Sequence, residues 1–263
     1  MLHIESFAPL CLALEWDNVG LLIGQGDWEA NKVYICLDVT PNAVEAAMEA
    51  GCKLILSHHP LIFTALKSIN DPLVIKLIQH KIAVICLHTN LDVAAYSVNH
   101  ALADALGLEV MGKLSDENGS ESYYPVENTN PANDLGLLCS PPQDLTLRQL
   151  AQLVESKLLC PQLKLWTAGK GLNEPIQRIA ICGGSGGSLL ALAQAKADVY
   201  ISGDISYHTY LDSSIPIIDA GHYYTEYPIL HFLAKKMDEL QLDSRIMQIN
   251  EHEYALNMRL GTS

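Results

Sequence analysis

The sequence predicts an α/β protein made of two duplicated three-layer units with mostly parallel sheets. Short apolar runs alternate with helix-like segments along most of the chain, an order typical of parallel strands joined by helices. The stretch 32–60 also recurs at 178–204, at a constant offset until one residue is dropped late in the second copy. We expect one unit to span 1–112 and the other 113–263.

The elements of the first half follow one another at short intervals. Pro41 suits the first turn of a helix, and Gly107 suits the residue that ends one. The pattern predicts strands at 33–37, 53–56 and 82–86, and helices at 41–50, 72–80 and 99–106.

The second half repeats this alternation after a polar connection. Residues 115–142 are rich in Asn, Pro, Ser and Asp and are predicted to be irregular, and Thr146 is a suitable N-cap for the helix after it. Predicted helices are 146–158, 188–197 and 227–240, and predicted strands begin at 179, 199, 215, 244 and 254.

Composition excludes several classes of protein. The formal charge of −14 and the lack of a basic run argue against a nucleic-acid partner. No apolar run approaches the roughly 18 residues that a membrane span needs, and no secretory leader is evident. The seven cysteines have no CxxC spacing, so we expect a cytoplasmic protein whose thiols are buried and inert.

Histidines and carboxylates follow the ends of several predicted strands. In open α/β sheets, ligands bind beyond the carboxyl ends of the strands. A His with a carboxylate four residues later occurs twice, after two different strands. We therefore expect one cleft with metal-binding character. Its candidate residues are His58, His59, His88, Asp92, Asp204, His222 and Glu226.

The sharpest local signal is the pair His58-His59 before Pro60. Neighbouring side chains of an extended chain diverge, so one ion for each ring fits better than a single shared ion. The alternative is a strand-end His bonded to the backbone beside a solvated one.

His222 and Glu226 form a second candidate pair. Thr225 could cap a following helix, which would place Glu226 in its first turn, and ordinary helix-start electrostatics is the alternative role. A carboxylate can bridge two ions, so Glu226 is the bridging candidate.

The remaining polar candidates have less specific patterns. Asp92 is a reasonable ligand, whereas His88 suits either a ligand or a group that orients a ligand and carries protons. His208 is a candidate proton carrier, with a structural role equally consistent. The run 183–188 could cradle an anion or simply make a tight turn, and Asp17 indicates turn chemistry facing the same cleft.

Five stretches, in order along nearly the whole chain, resemble one known family: the GTP cyclohydrolase I type 2 homologues, also called NGG-one-interacting factor three-like proteins. They are Trp16-Asp17-Asn18-Val19-Gly20-Leu21, Ser57-His58-His59-Pro60-Leu61-Ile62, His88-Thr89-Asn90-Leu91-Asp92, Gly203-Asp204-Ile205-Ser206-Tyr207-His208 and Asp219-Ala220-Gly221-His222-Tyr223-Tyr224-Thr225-Glu226.

The resemblance implies a duplicated fold that exchanges C-terminal strands, here about 243–263, and a toroidal homohexamer with metal pairs facing an internal cavity. It implies that His59 and Asp92 hold one ion, that His58 and His222 hold the other, and that Glu226 bridges them. His88 is not a ligand in that motif. The chain departs from the family pattern at 96–100 and at 134–139, where family glycines and an arginine are missing.

The combined interpretation is a protein with two divalent ions per chain (Zn, Fe or Mn) whose activated water hydrolyses a small cyclic or nucleotide-like substrate. GTP enters only through the resemblance. The alternatives are a non-catalytic metal-handling assembly and a phosphoesterase.

Overall fold

The structure, a computed structural model, describes residues 2–115 and 135–249. These residues form two compact units, each combining a sheet with helices, which confirms the predicted α/β class. The first unit comprises 2–94 and 230–249, and the second comprises 95–115 and 135–229.

The sheet of the first unit has five strands, and its order is β1-β4-β3-β2-β13. Four of them are parallel, and β1 runs antiparallel to β4 at one edge. Strand β13 pairs with β2 at the other edge, so a C-terminal strand joins the first unit, as the resemblance implied. The strands are β1 (Gly20–Ile23), β2 (Lys32–Cys36), β3 (Leu54–Ser57), β4 (Ala83–Cys86) and β13 (Asp243–Ile246).

The two main crossover helices of the first unit begin at side-chain caps. Thr40 accepts a hydrogen bond from the Ala43 N–H, and Asp71 accepts one from the Leu73 N–H, each followed by proline at the first helical position. The helices associated with this part of the chain are α1 (Leu2–Glu5), α2 (Pro41–Glu49), α3 (Pro72–Gln79), α4 (Thr89–Asp92) and α10 (Ile229–Glu239).

The sheet of the second unit has six strands in the order β5-β6-β10-β11-β12-β8. The three central strands are parallel, whereas β5, β6 and β8 pair antiparallel. A separate ladder joins β7 and β9. The strands are β5 (Glu109–Lys113), β6 (Leu137–Ser140), β7 (Leu145–Thr146), β8 (Lys164–Trp166), β9 (Pro175–Ile176), β10 (Ile179–Ser185), β11 (Val199–Gly203) and β12 (Ile217–Asp219).

Thr146 caps the longest helix of the second unit as predicted: its side chain accepts from the Gln149 N–H, and the Thr146 N–H donates to the Gln149 side chain. The helices are α5 (Val98–Leu106), α6 (Leu147–Leu158), α7 (Leu190–Lys196), α8 (Tyr207–Asp212) and α9 (His222–Glu226).

One predicted segment differs from the structure. The stretch 115–142 was expected to be irregular, but β6 lies within it and pairs with β10, so the prediction was wrong there. Alternating burial along β6 is the signature of an antiparallel strand, and the polar residues around it obscure that signal. The strand predicted to begin at 254 lies outside the described residues.

Each sheet carries its own apolar core. Val33, Ile55 and Val84 of the first unit have no solvent exposure, and neither have Ile179 and Ile217 of the second. Side chains without solvent access on three parallel strands are typical of a sheet covered on both faces. Among the described helices, none has the length and apolarity needed to cross a bilayer.

Six of the seven cysteines are buried, as expected, but Cys11 is exposed, which corrects the prediction for that thiol. Burial raises the pKa of the Cys36 and Cys86 thiols well above the ordinary value, and it raises that of Cys160 to about 11. We expect a disulfide reagent such as DTNB to titrate one thiol rapidly in native protein and seven in urea. Rapid reaction of three or more native thiols would contradict this description of the core.

Candidate metal centre

The register of the first sheet brings two strand ends together. Ser57 of β3 lies opposite Cys86 of β4, so His58 and His59 leave the sheet beside the segment that carries His88. The buried side chain of His58 donates from Nδ1 to the Leu87 carbonyl at 2.7 Å. This hydrogen bond reaches directly across the ends of two neighbouring strands.

The other two histidines of this unit are held by carboxylates. His59 Nδ1 lies 2.8 Å from the Asp38 carboxylate, and His88 Nδ1 lies 2.9 Å from that of Asp17. Carbonyl and ionised carboxylate oxygens can only accept, so the hydrogen resides on Nδ1 in all three rings. In the neutral form of each ring Nε2 then carries the lone pair, which is the arrangement of metal-binding histidines.

The three rings also lie close to one another. Ring centroids of His58 and His59 are 5.0 Å apart, and those of His58 and His88 are 5.3 Å apart. One ligand atom from each of the three lies within 4.8 Å of the others. Two nitrogens on one ion at about 2.1 Å can be at most about 4.2 Å apart, and the 4.8 Å limit does not decide this, so the expectation of one ion for each ring of the His58-His59 pair stays a prediction.

Asp92 lies beside this group. Its Oδ1 is 3.7 Å from His58 Nε2, and its backbone N–H donates to the His88 carbonyl within the turn of α4. Of the candidates expected in the first unit, the structure brings together His58, His59, His88 and Asp92.

In the second unit, α9 sets the spacing of the other predicted pair. His222 and Glu226 are four residues apart on this helix, and His222 Nε2 lies 3.1 Å from Glu226 Oε2. His222 Nδ1 lies 2.8 Å from the Asp204 carboxylate, so this fourth ring also presents Nε2. Asp204 itself has φ +51°, in the left-handed region that Asp enters more readily than most residues.

Thr225 was expected to cap a helix that starts with Glu226, and this was wrong. The helix starts at His222 with Gly221 as N-cap at φ +83°, a value that glycine adopts without strain. The Thr225 hydroxyl lies 2.8 Å from the His222 carbonyl and accepts a hydrogen bond from the Gly184 N–H. Thr225 therefore ties α9 to β10 beneath the two candidate ligands.

Glycines allow the close approach of the sheet to this pair. A Cβ on Gly184 would lie 2.2 Å from Glu226 Oε1, and one on Gly203 would lie 2.5 Å from the His222 backbone nitrogen. Real Cβ atoms essentially never lie this close to another heavy atom, so a Cβ at Gly184 would push the Glu226 carboxylate aside and one at Gly203 would push the backbone. The glycines of 183–188 thus serve packing as well as turning.

Two of the backbone N–H groups in the run 183–188 already have partners inside the protein. The Gly183 N–H donates to the Asn99 side chain at 2.7 Å, and the Gly184 N–H donates to Thr225. A Cβ on Gly186 would lie 2.2 Å from the Ser202 hydroxyl oxygen. These contacts favour the tight-turn alternative for this end of the run.

Asp17 and Asp38 contact candidate histidines, a role that sequence reasoning did not assign to them. The Asp17 side chain is inaccessible to solvent and accepts from His88 Nδ1 and from the N–H and hydroxyl of Thr89. Burial raises its pKa, but these hydrogen bonds outweigh burial and lower the pKa to about 2. Asp17 is thus an ionised anchor for His88, where only turn chemistry was expected. Asp38 lies two residues beyond β2 and belongs to none of the sequence patterns that pointed to the site.

His208 stands on the exposed side of α8, with its ring centroid 5.5 Å from that of Tyr207. Its role as a proton carrier stays a prediction.

The residues present fit a divalent transition metal. Four imidazoles have Nδ1 bound to an acceptor, and each unit adds a carboxylate near an Nε2, which is the mixed donor set that Zn, Fe and Mn accept.

Known proteins resemble this chain over nearly its full length. The family model described as Duf34/NIF3 (NGG1p interacting factor 3) matches residues 1–253. A Lactococcus lactis relative, named GTP cyclohydrolase 1 type 2 homolog, is 36% identical over 260 residues, covering 95% of each protein. The crystal structure of a Staphylococcus aureus hypothetical protein is 32% identical with a TM-score of 0.80 and 95% coverage of both chains. A Bacillus cereus protein related to NIF3 is 25% identical with a TM-score of 0.76, over 93% of this chain and 94% of that one.

Proposed function

Because the chain belongs to the Duf34/NIF3 family, we propose that it binds two divalent cations and hydrolyses a small cyclic or nucleotide-like substrate. The observation that carries this proposal is the common orientation of four histidine rings. Each has Nδ1 bonded to a carbonyl or carboxylate oxygen, which makes Nε2 the ligand atom of the neutral ring. Structural histidines have no reason to share this orientation, whereas metal ligands do.

The proposed ligands follow the family assignment. His58, His59 and Asp92 of the first unit and His222 and Glu226 of the second would hold the ions, with Glu226 as the bridging candidate that the family resemblance implies. The support within each unit is local: Asp92 lies beside His58, and Glu226 lies beside His222 on one helix.

Divalent ions held by these groups would supply a water whose pKa is lowered toward neutrality. The protein would then supply orientation and proton transfer. Asp17 keeps the hydrogen of His88 on Nδ1, so His88 Nε2 can accept a proton near the first-unit ligands. His208 is the proposed second proton carrier.

The relatives' name suggests GTP as the first substrate to test. Purified protein loaded with zinc should contain two ions per chain and release formate from GTP if the reaction opens the purine ring. Replacing Glu226 with alanine is expected to leave at most one ion per chain and to lower formate release more than about 100-fold, because a bridging ligand serves both ions.

Glu239→Ala is the matched control, since Glu239 is half exposed and pairs only with Lys236 among the described contacts. It should retain both ions. Unchanged metal content and formate release in the Glu226 variant would reject the proposal. The homohexamer implied by the family likeness is part of the same proposal, and light scattering measures it.

A further inference from the structure

Two aromatic side chains form an exposed pair in the first unit. Trp16 is 56% exposed and Phe63 is 55% exposed, and their ring centroids lie 5.7 Å apart at 44°. Single exposed apolar residues need no explanation, but two large rings in contact make a continuous apolar surface. Exposed apolar surfaces commonly mark sites where a ligand or another protein binds.

The backbone beside both rings is anchored. Asp17, next to Trp16, is inaccessible to solvent and bonded to His88 and Thr89. The Asn18 side chain donates to the carbonyl of Ile62, the residue before Phe63. The two aromatic segments are therefore tied to each other and to the segment that carries His88. Pre-organised exposed surface costs little ordering entropy when a ligand binds.

The aromatic pair borders the candidate metal centre of this unit. The Trp16 ring meets the His88 ring edge-on, with centroids 6.1 Å apart and planes at 76°. His88 in turn lies 5.7 Å from His59, measured between ring centroids. A continuous path of rings thus runs from the exposed indole to the candidate ligands.

The spacing of the rings restricts how a ligand would bind. A flat ring between Trp16 and Phe63 would need about 3.5 Å on each side, or about 7 Å in total, and the pair is closer than that. A ligand ring must therefore lie over their common exposed surface. A planar heteroaromatic ring suits this place because its apolar face stacks on carbon while its polar edge can meet histidines.

We propose that Trp16 and Phe63 bind a planar heteroaromatic ring of the substrate and direct its polar edge toward His88 and the first-unit ligands, an inference that rests on the function proposed above. A saturated sugar lacks the flat face, and a second copy of this chain would cover the rings without needing the neighbouring histidines. The experiment below distinguishes each of these two occupants from a heteroaromatic ring.

The test is equilibrium binding of uncharged nucleosides to the full chain, with and without zinc, measured by calorimetry. Guanosine, adenosine, cytidine and uridine supply four heteroaromatic bases without phosphates that would strip metal, and ribose is the counterpart without a heteroaromatic base. We expect at least one nucleoside to saturate the protein at concentrations where ribose does not bind. Trp16→Ala and Phe63→Ala should each weaken that binding about tenfold, the usual effect of losing one stacking ring.

Tyr207→Ala is the matched control, because Tyr207 is a 70% exposed aromatic residue of the second unit. It should bind as the parent does, and Trp16→Phe should retain most of the affinity. Zinc content and light-scattering mass should be unchanged in every variant.

Several results would overturn the inference: no nucleoside binding, equal binding of ribose, or parental affinity in both alanine variants. Loss of zinc or of the assembled state in Trp16→Ala would overturn it too, by showing a structural or interface role. Binding is measured without turnover, so nucleoside binding that depends on Trp16 but brings no hydrolysis rejects the proposed reaction alone. Hydrolysis that is indifferent to both aromatic residues rejects the stacking role alone.

Discussion

Replacing Gly184 with alanine is expected to abolish cation binding by His222 and Glu226 and to destabilise the second unit by about 2–4 kcal/mol. Gly184 has φ +69°, and a Cβ there would lie 2.2 Å from Glu226 Oε1 and 3.3 Å from His222 Nε2. The added methyl group would therefore displace the carboxylate and the imidazole together. Zinc content and urea unfolding measure the two effects.

Gly107 provides a close control for the backbone strain. It has φ +68°, almost the same as Gly184, but a Cβ there would meet nothing within 4 Å. Gly107→Ala should cost about 1 kcal/mol and leave the zinc content unchanged. If both variants lose the same stability and neither loses zinc, the close approach at Gly184 has no functional meaning.

Replacing Asp17 with asparagine is expected to lower the free energy of unfolding by about 2 kcal/mol at pH 7. An amide has one acceptor oxygen for the donors of His88 and Thr89, and its NH₂ group would face one of those donors. The His88 ring would then lose the partner that keeps the hydrogen on Nδ1. Chemical denaturation of the parent and the variant measures the change.

The contribution of Asp17 to the free energy of unfolding depends on pH. Folding lowers the pKa of Asp17 from 3.8 to about 2, so its contribution is fully present above pH 4 and is lost as the pH falls toward 2. The stability difference between parent and variant should shrink over that interval. Asp38→Asn is the control, since the Asp38 side chain is 39% exposed, and should cost less than about 1 kcal/mol. A constant difference from pH 5 to pH 2 would contradict this account of Asp17.

The sequence predicted the alternating elements well because parallel strands leave a strong signal. Residues around Val33, Ile55 and Val84 form short, wholly apolar runs, and proline or glycine marks the ends of the helices between them. The antiparallel edges were harder to predict. In β6, only Leu137 and Cys139 are buried, and their alternation lies within a polar stretch.

The residues of the candidate site also divide into those that could be predicted from the sequence and those that could not. His58, His59, His222 and Glu226 follow strand ends and could be predicted from that position, and His222 and Glu226 share a helix turn. Asp17 and Asp38 could not, because their function lies in accepting hydrogen bonds from histidines 71 and 21 residues away. A contact across that separation leaves no spacing in one sequence. His88 was ambiguous for the same reason, since its partner was unknown.

Anomalous diffraction from crystals of the zinc-loaded protein, recorded above and below the zinc edge, is the most direct test of metal binding through oriented histidines. We expect two peaks per chain, with Nε2 of His58, His59 and His222 at about 2.0–2.1 Å from zinc and every Nδ1 still bonded to its carbonyl or carboxylate. Peaks bound through Nδ1, or no peak near these rings at full zinc loading, would contradict the account.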